Sequence, residues 1–405
     1  MRPLQHQIEK ANEAYKILKE LKYVYINGQP RSGKTLTAIL VAEKCKNVER
    51  VLVLTKKNAI EGWLKFITPN LTKQYEVTNY EKLGRIIDFG GTRAVTHNYR
   101  PDLFQLVIFD ESHAIGAFPK PSQRQMIIKA FCKELPHIHL SGTPIIESAC
   151  GIFHQMNVSK YTPFPFGSFY RFFDHYGVPS SQWIRGQPKA CYDKFKPELL
   201  QKISEFTVYM SQSMAGIKVM AEDREHYVEL SEDTKKLYNK ILDDKIGFDG
   251  KLVCDTTMKL RTALHMIEGG SVKLNDGEIL ILDDINEKIN YIKRVFGDTK
   301  DVGIMAHYIS DREKLKKHFK YAQIYSSVGH AEGVDLSHLK YFVIYSSDYS
   351  GAKFVQRRER VININGGRTN AVHHILVKNA ISEQVYKLVS KKRDFNDSTF
   401  DRTKL

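Results

Sequence analysis

The stretch GQPRSGKT, residues 28–35, decides the fold of this chain. It fits the pattern G-x-x-x-x-G-K-[ST] without deviation, and it stands between a short β-branched run, residues 23–27, and a helix-like stretch, residues 35–45. A strand that leads through a glycine-bearing loop into a helix lets backbone N–H groups and the helix N-terminus cradle phosphate. The sequence therefore predicts an α/β unit with a phosphate-binding loop after its first strand.

The loop and the start of the following helix supply the predicted nucleotide contacts. Lys34 is predicted to reach the β and γ phosphates, and the Thr35 hydroxyl to hold Mg²⁺. The predicted nucleotide-binding positions in this stretch are Gly28, Arg31, Ser32, Gly33, Lys34 and Thr35. A chance glycine-rich turn is the alternative to this interpretation.

A second motif, VIFDESHA at residues 107–114, places two acidic side chains directly after an apolar run. Asp110 is predicted to hold Mg²⁺, and Glu111 to position or deprotonate the attacking water. An isolated Asp-Glu pair is typical of a solvated turn. The presence of the loop at residues 28–35 makes a catalytic role the better interpretation, since ligand chemistry collects at the carboxyl ends of parallel strands.

A third motif, LSGTP at residues 140–144, also follows an apolar run. Its hydroxyl side chains, Ser141 and Thr143, are predicted to relay the state of the γ-phosphate to the rest of the molecule. By itself this sequence is a routine turn. Its meaning depends on the two motifs that precede it.

The overall charge of the chain favours a polyanionic partner. Its 405 residues carry 61 Lys and Arg against 46 Asp and Glu, a net charge of +15. Such an excess attracts nucleic acid through steering and counterion release. Nucleic acid is therefore the leading partner. Charge alone does not separate DNA from RNA or from acidic lipid.

The rest of the composition indicates a folded protein of the cytoplasm. A hydrophobic content of 42% fills the core of two or three domains. The five cysteines are scattered without a CxxC pair, so neither a disulfide framework nor a thiolate zinc site is indicated. Apolar runs are far shorter than the roughly 20 residues that span a bilayer, so no membrane association is expected.

Changes in amino-acid composition and pattern along the chain predict two domains and a segment between them. Residues 1–157 contain the motifs above and form the first domain, and residues 229–405 form a second α/β domain. Residues 158–228 are predicted to be a linker or accessory segment, because residues 161–177 are dense in aromatics, proline and glycine. These aromatic side chains are expected to pack against the first domain, with stacking on bases as the alternative.

The order of the three motifs makes the chain resemble the superfamily 2 helicase-type ATPases, in particular the Swi/Snf-like branch and compact phage helicases of the branch-migration type. The resemblance implies two RecA-like domains with parallel sheets and a cleft for ATP and Mg²⁺ between them, in a monomer. Few residues separate the matches to motifs IV and V, so the second domain is expected to be reduced.

The resemblance assigns further roles in the first domain. RPLQHQIEKA near the start is similar to the adenine-reading Q motif, with Gln7 as the better match and Gln5 as the rival. VLVLTKKNAIEGW and VTNYEKL resemble motifs Ia and Ib, which lie along nucleic acid in the family. Lys56, Thr78 and Tyr80 are therefore expected to contact nucleic acid. The alternatives are a solvated loop for Lys56 and a packing role for Tyr80.

Three stretches of the second half resemble motifs IV, V and VI. They assign nucleic-acid contacts to His307 and Gly333, and catalytic roles on the ATP to Gln356 and Arg360. The family pattern has one more arginine, the finger on the γ-phosphate, where this chain has Asn363. Arg360 is the first candidate for that finger; the other readings are weak hydrolysis or a substitute among Arg357, Arg358 and Arg368.

The function implied by the resemblance is ATP-dependent movement on DNA, with unwinding or branch migration of forked or junction DNA. The alternatives are a Swi/Snf-like translocase that does not separate strands, an RNA helicase, and a nucleic-acid-binding protein with a weakened ATPase.

Overall fold

The computed structural model describes residues 3–89, 92–142, 148–184, 187–215, 221–327, 336, 338–351, 354, 358 and 371–391. The helices of this part are α1 (Gln5–Leu21), α2 (Lys34–Lys44), α3 (Ile60–Leu64), α4 (Gln123–Phe131), α5 (Ile152–Met156), α6 (Phe169–Tyr176), α7 (Pro197–Ser204), α8 (Glu232–Asp244), α9 (Thr257–Glu268), α10 (Glu287–Phe296), α11 (Ile309–His318) and α12 (Ile381–Val389).

The strands fall into two groups, one in each half of the chain. Those of the first half are β1 (Tyr23–Gly28), β2 (Arg50–Thr55), β3 (Gln74–Asn79), β4 (Gly84–Phe89), β5 (Thr92–His97), β6 (Leu106–Asp110), β7 (His137–Ser141), β8 (Ser180–Ile184), β9 (Gln187–Cys191) and β10 (Thr207–Met210). Those of the second half are β11 (Glu222–Val228), β12 (Ile246–Gly247), β13 (Leu252–Val253), β14 (Ser271–Lys273), β15 (Ile279–Ile281), β16 (Val302–Ala306), β17 (Gln323–Ser326), β18 (Tyr341–Ile344) and β19 (Ala371–Val377).

The first sheet contains six parallel strands in the order β10-β1-β7-β6-β2-β3. Strand β1 shows how both faces are covered. Val24 and Ile26 belong to a core that they share with α1 and α2, whereas Tyr23 and Tyr25 belong to a core with α5, α6 and α7. Alternate strand side chains point to opposite faces, so this β-branched and aromatic run is buried on both sides.

The order of the central strands decides where the motifs meet. Strands β1, β7 and β6 are direct neighbours and run parallel, so their carboxyl ends lie side by side. The glycine loop follows β1, Ser141 ends β7 and Asp110 ends β6. The sheet topology therefore brings the three sequence motifs to one edge.

The aromatic stretch after the first domain is part of the core of the first unit. Phe164, Phe169 and Phe172 are buried and pack in the same cluster as Tyr25 of β1. Their rings meet one another in edge-on and tilted contacts, as in the pair Phe164 and Phe172, with centroids 5.1 Å apart. The prediction that this segment packs against the first domain is confirmed.

The second sheet contains five parallel strands in the order β11-β19-β18-β16-β17. Helices α10 and α11 contribute to the core on one side, and α8, α9 and α12 to a second core. Two parallel sheets of this kind confirm the predicted α/β fold with two RecA-like domains. Within the described residues the second sheet has five strands and the first has six.

The chain divides into two compact units, Met1–Lys218 and Val219–Leu405. Residues 158–228, the predicted accessory segment, are split between them. Strand β10 is the edge strand of the first sheet, and β11 is the edge strand of the second. The observed division therefore has two parts where the sequence suggested three. Among the described residues, no helix combines the length and apolar character needed to cross a bilayer.

Candidate nucleotide-binding site

The glycine loop adopts a conformation that its residue types require. Gly33, the N-cap of α2, has φ 88°, and Arg31 has φ 63°, both in the left-handed region. A Cβ atom at Gly28 would lie 2.4 Å from Lys34 Cγ and 2.6 Å from Ser32 Oγ, so any larger residue there would displace these two side chains. Lys34 Nζ donates to the Gly28 carbonyl oxygen over 2.8 Å. The lysine is thus folded across the loop.

The residues of the loop fit a bound phosphate group. Ser32 Oγ is fully buried and has no hydrogen-bond partner within the described part of the chain. Lys34 and Thr35 form the first turn of α2, whose leading backbone amides have no intrahelical acceptor. An ammonium group, hydroxyls and helix N-terminal amides form the donor set that phosphate oxygens need.

Asp110 is held by side chains from outside its own motif. Its Oδ2 accepts a hydrogen bond from Thr55 Oγ1 at 2.7 Å and another from Trp63 Nε1 at 2.8 Å. Its backbone oxygen accepts from the Tyr80 hydroxyl at 2.7 Å. Sequence reasoning missed Thr55 and Trp63 as site residues, although both stand in the stretch matched to motif Ia.

The electrostatics of Asp110 favour a cation. Burial raises the pKa of Asp110, and the negative charge of Glu111 raises it further, while the donors on Trp63 and Thr55 and the charge of Lys34 oppose the rise. A buried carboxylate next to a second acid is costly as an anion unless a positive charge joins it. This carboxylate fits a Mg²⁺ ligand, with Thr35 as the second predicted ligand.

Glu111 combines backbone strain with an unsatisfied carboxylate. Its φ of 51° lies in the left-handed region, where a non-glycine residue is uncommon. Its Oε2 is buried without a hydrogen-bond partner among the described residues, and His113 Nδ1 lies 3.3 Å from it. A carboxylate oxygen with spare acceptor capacity suits the predicted role on the attacking water.

His113 connects this acid to the third motif. Its Nδ1 lies 2.9 Å from Ser141 Oγ. Burial, together with the positive charge of Lys56, lowers the pKa of His113 to about 3, so the ring is neutral at physiological pH. Ser141 is fully buried at the end of β7. Thr143, the other predicted coupling residue, lies outside the described residues.

The structure places Gln7, and not Gln5, against the phosphate loop. A Cβ at Gly33 would lie 1.9 Å from Gln7 Nε2, so the carboxamide contacts the loop directly. Gln7 Oε1 accepts from the Leu4 backbone amide at 2.8 Å. Gln5 instead donates to Glu9 on the exposed face of α1. His6 Nε2, which sequence reasoning did not single out, lies 3.0 Å from the Ser32 carbonyl oxygen.

Two of the three nucleic-acid contacts predicted in the first unit are buried. Thr78 and Tyr80 are each 3% exposed. Thr78 Oγ1 accepts from the Tyr99 hydroxyl, and Tyr80 supports Asp110 while its ring packs under the Arg124 guanidinium. These positions do not fit direct contact with nucleic acid, and for Tyr80 they agree with the packing alternative. Lys56 is partly exposed.

In the second unit the structure describes one of the four predicted site residues. His307 follows β16, where its Nδ1 lies 3.0 Å from Ser327 Oγ and its backbone amide donates to Ser346 Oγ. Gly333, Gln356 and Arg360 lie outside the described residues, as do Asn363, Arg357 and Arg368.

Arg358, one alternative for the arginine finger, is engaged within its own unit. Its Nε forms an ion pair with Asp223 Oδ2 at 2.9 Å, and the guanidinium also donates to the Ala221 carbonyl oxygen. His374 Nε2 lies 3.0 Å from the other carboxylate oxygen of Asp223. In this arrangement Arg358 anchors the start of β11.

Comparison with known proteins agrees with the geometry of the first unit. Residues 1–146 match the family model of the type III restriction enzyme res subunit. This range includes the glycine loop and the motif at Asp110, and for residues 1–146 the match supports the predicted helicase-type ATPase. No curated relative matches the chain.

Two solved structures are distantly similar over most of the chain. One is the SWI2/SNF2 ATPase core of Sulfolobus solfataricus in complex with dsDNA, at 16% identity, covering 97% of this chain and 91% of that chain with a TM-score of 0.43. The other is the Hef helicase domain of Pyrococcus furiosus, at 14% identity, covering 93% of this chain and 97% of that chain with a TM-score of 0.44.

Proposed function

We propose that this chain, which carries a helicase-type ATPase domain in residues 1–146, is a motor that hydrolyses ATP with Mg²⁺ to move on DNA. Its substrates in this proposal are forked or junction DNA, which it unwinds or branch-migrates during replication or recombination. Duplex translocation without strand separation and action on RNA are the alternatives.

The observation that carries the proposal is the meeting of three strand ends in one chemical site. Lys34 is close enough to lower the pKa of Asp110 electrostatically. A Cβ at Gly142 would lie 3.4 Å from the Gly28 carbonyl oxygen and 3.7 Å from Lys34 Nζ, so the third motif adjoins the loop. An ion pair with a purely structural role would not require three strand ends to meet at one place. Phosphoryl transfer does require charged groups in fixed positions around the phosphate.

Each residue of the site has a separate role in ATP hydrolysis. Bound ATP with Mg²⁺ supplies the phosphoanhydride bond to be cleaved. Lys34 exchanges its contact with the Gly28 carbonyl for phosphate oxygens, and Thr55 and Trp63 keep the Asp110 carboxylate oriented for the metal. Glu111 orients water and accepts its proton. His113 stays neutral, and through its contact with Ser141 it couples the γ-phosphate site to the third motif.

The net charge of +15 supports nucleic acid as the polymer along which the motor moves. A motor that accepts any sequence holds phosphates and not bases, so its affinity depends strongly on salt. Lys56 is the predicted contact of the first unit that fits this role, and His307 and Gly333 are the predicted contacts of the second.

The central experiment is ATP turnover at a fixed salt concentration with single-stranded, duplex, forked and four-way DNA and with RNA. We expect turnover to rise severalfold with DNA and to vanish in Lys34→Ala. Equal turnover in wild type and Lys34→Ala would overturn the proposal.

Two further assays distinguish the proposed nucleic-acid substrates. Strand displacement on forks and four-way junctions tests unwinding and branch migration. Triplex displacement without fork unwinding would identify a duplex translocase, and stimulation by RNA alone would identify an RNA motor.

A further inference from the structure

The hydroxyl of Tyr25, outside every motif matched above, joins three segments of the first unit. Tyr25 lies in β1 and is 1% exposed. Its hydroxyl donates to Gln155 Oε1 of α5 at 3.0 Å and accepts from Ser112 Oγ at 2.9 Å. Ser141 at the end of β7 is near enough to this hydroxyl to lower its pKa. The buried oxygen atom of Tyr25 therefore contacts the second motif and α5, and it lies beside the third motif.

The hydrogen bonds that the Tyr25 hydroxyl forms with Gln155 and Ser112 have a fixed order of donor and acceptor. Its single proton is used on Gln155, and Ser112 donates to the tyrosine oxygen. The hydrogen-bonded chain therefore runs from Ser112 through Tyr25 to Gln155, and the tyrosine hydroxyl both donates and accepts, which strengthens both bonds. Ser141 Oγ, beside this chain, lies 2.9 Å from His113 Nδ1.

The far end of the chain is fixed by packing. Gln155 is 2% exposed. A Cβ at Gly116 would lie 2.7 Å from Gln155 Nε2, so the carboxamide is pressed against the segment that leaves the second motif. Gln155 thus contacts this segment both directly at Gly116 and through Tyr25 and Ser112. Helix α5 is in this way tied to the backbone that carries Glu111.

We propose that Tyr25 is a positioning residue that sets the relative placement of the second and third motifs and so the placement of Glu111. The proposal rests on the proposed ATPase function and deepens it. Ser112 directly follows Glu111, and Ser141 directly precedes Gly142 beside the glycine loop. Without the hydroxyl, the buried Gln155 Oε1 loses the hydrogen bond from Tyr25. Removing the donor to a buried acceptor lowers stability more than removing an exposed hydrogen bond does. The two motifs then no longer share an anchor.

The test compares Tyr25→Phe with a matched control, Tyr23→Phe. Tyr23 lies two residues earlier on the same face of β1, is 7% exposed, and its hydroxyl makes no hydrogen bond within the described part of the chain. Both variants lose one hydroxyl and keep the ring. We expect Tyr25→Phe to lower the DNA-stimulated kcat about tenfold while the KM for ATP stays within about twofold. Tyr23→Phe should match wild type in both.

A second variant tests the coupling of Tyr25 to Gln155, and a measurement without nucleotide tests the positioning role independently of turnover. Gln155→Leu removes the acceptor, and combined with Tyr25→Phe it should lower kcat little further, because both changes break the same chain. Amide hydrogen exchange without nucleotide should quicken in residues 111–116 and 148–156 of Tyr25→Phe and not of Tyr23→Phe.

The outcomes separate this inference from the proposed function. If wild type shows no DNA-stimulated turnover, the proposed function fails. If wild type is stimulated and Tyr25→Phe equals Tyr23→Phe in kcat and in exchange, the positioning role is refuted. Losses that simply add in the double variant would also refute it.

Discussion

The hydrogen bond from Trp63 to Asp110 gives a prediction that the ligand-free protein tests directly. Trp63 is 2% exposed, and its Nε1 donates to Asp110 Oδ2 over 2.8 Å. The Trp63→Phe variant keeps an aromatic ring in place and removes the donor. Hydrogen bonds to charged groups contribute about 1.5–3 kcal/mol. Since Thr55 still donates to the same oxygen, we expect the free energy of unfolding to fall by about 2 kcal/mol.

The assay is urea unfolding followed by circular dichroism, because the variant removes a fluorescent probe. A double-mutant cycle with Asp110→Asn isolates the charge. In the neutral Asn background the same Trp63→Phe change should cost only about 1 kcal/mol, the value of a neutral hydrogen bond. An equal cost in both backgrounds would show that lost ring packing, and not the hydrogen bond to a carboxylate, explains the effect.

Three further predictions concern acid stability and the nucleotide contacts. Burial lowers the pKa of His137 to about 4, so the unfolded chain binds the proton more readily. The contribution of His137 to stability should fall by about 1.4 kcal/mol per pH unit between about pH 6.5 and 4. In urea unfolding at pH 7, 6 and 5, His137→Asn should therefore lower the slope of stability against pH by about that amount, and an unchanged slope would contradict the prediction. In steady-state turnover, Gln7→Ala should raise the KM for ATP about tenfold, whereas Gln5→Ala should leave it unchanged. Equal effects of the two variants would contradict the assignment of the nucleotide contact to Gln7. Lys34→Ala should abolish nucleotide-dependent thermal stabilisation with an unchanged circular dichroism spectrum, and retained stabilisation would contradict its contact with phosphate.

The sequence predicted the parts of the site whose geometry is local. The glycine loop needs only its own residues to specify a turn and a helix start, and Asp110 needs only the apolar run before it. Ser231, whose residue type favours helix N-caps, likewise accepts from the Thr234 amide at the start of α8. In each case the pattern and the contact lie within a few residues of each other.

The parts that the sequence did not predict depend on contacts between distant segments. Thr55 and Trp63 reach Asp110 across 55 and 47 residues of chain. Thr78 and Tyr80 stand in a motif whose pattern does not distinguish a surface loop from a buried one, and neighbouring strands and helices bury them. Strand β10 has only four residues, and its place beside β1 is fixed by pairing and not by its own periodicity.

The late position of β10 in the chain has a consequence for the synthesis of this protein. Its partner β1 leaves the ribosome almost two hundred residues earlier, since Tyr25 pairs with Thr207. Until then one edge of the first sheet is open, and the aromatic face of Tyr23 and Tyr25 lacks the cover of α6 and α7. A fragment that stops at residue 157 would present both surfaces to solvent and aggregate, whereas one that stops at residue 218 contains every strand of the sheet.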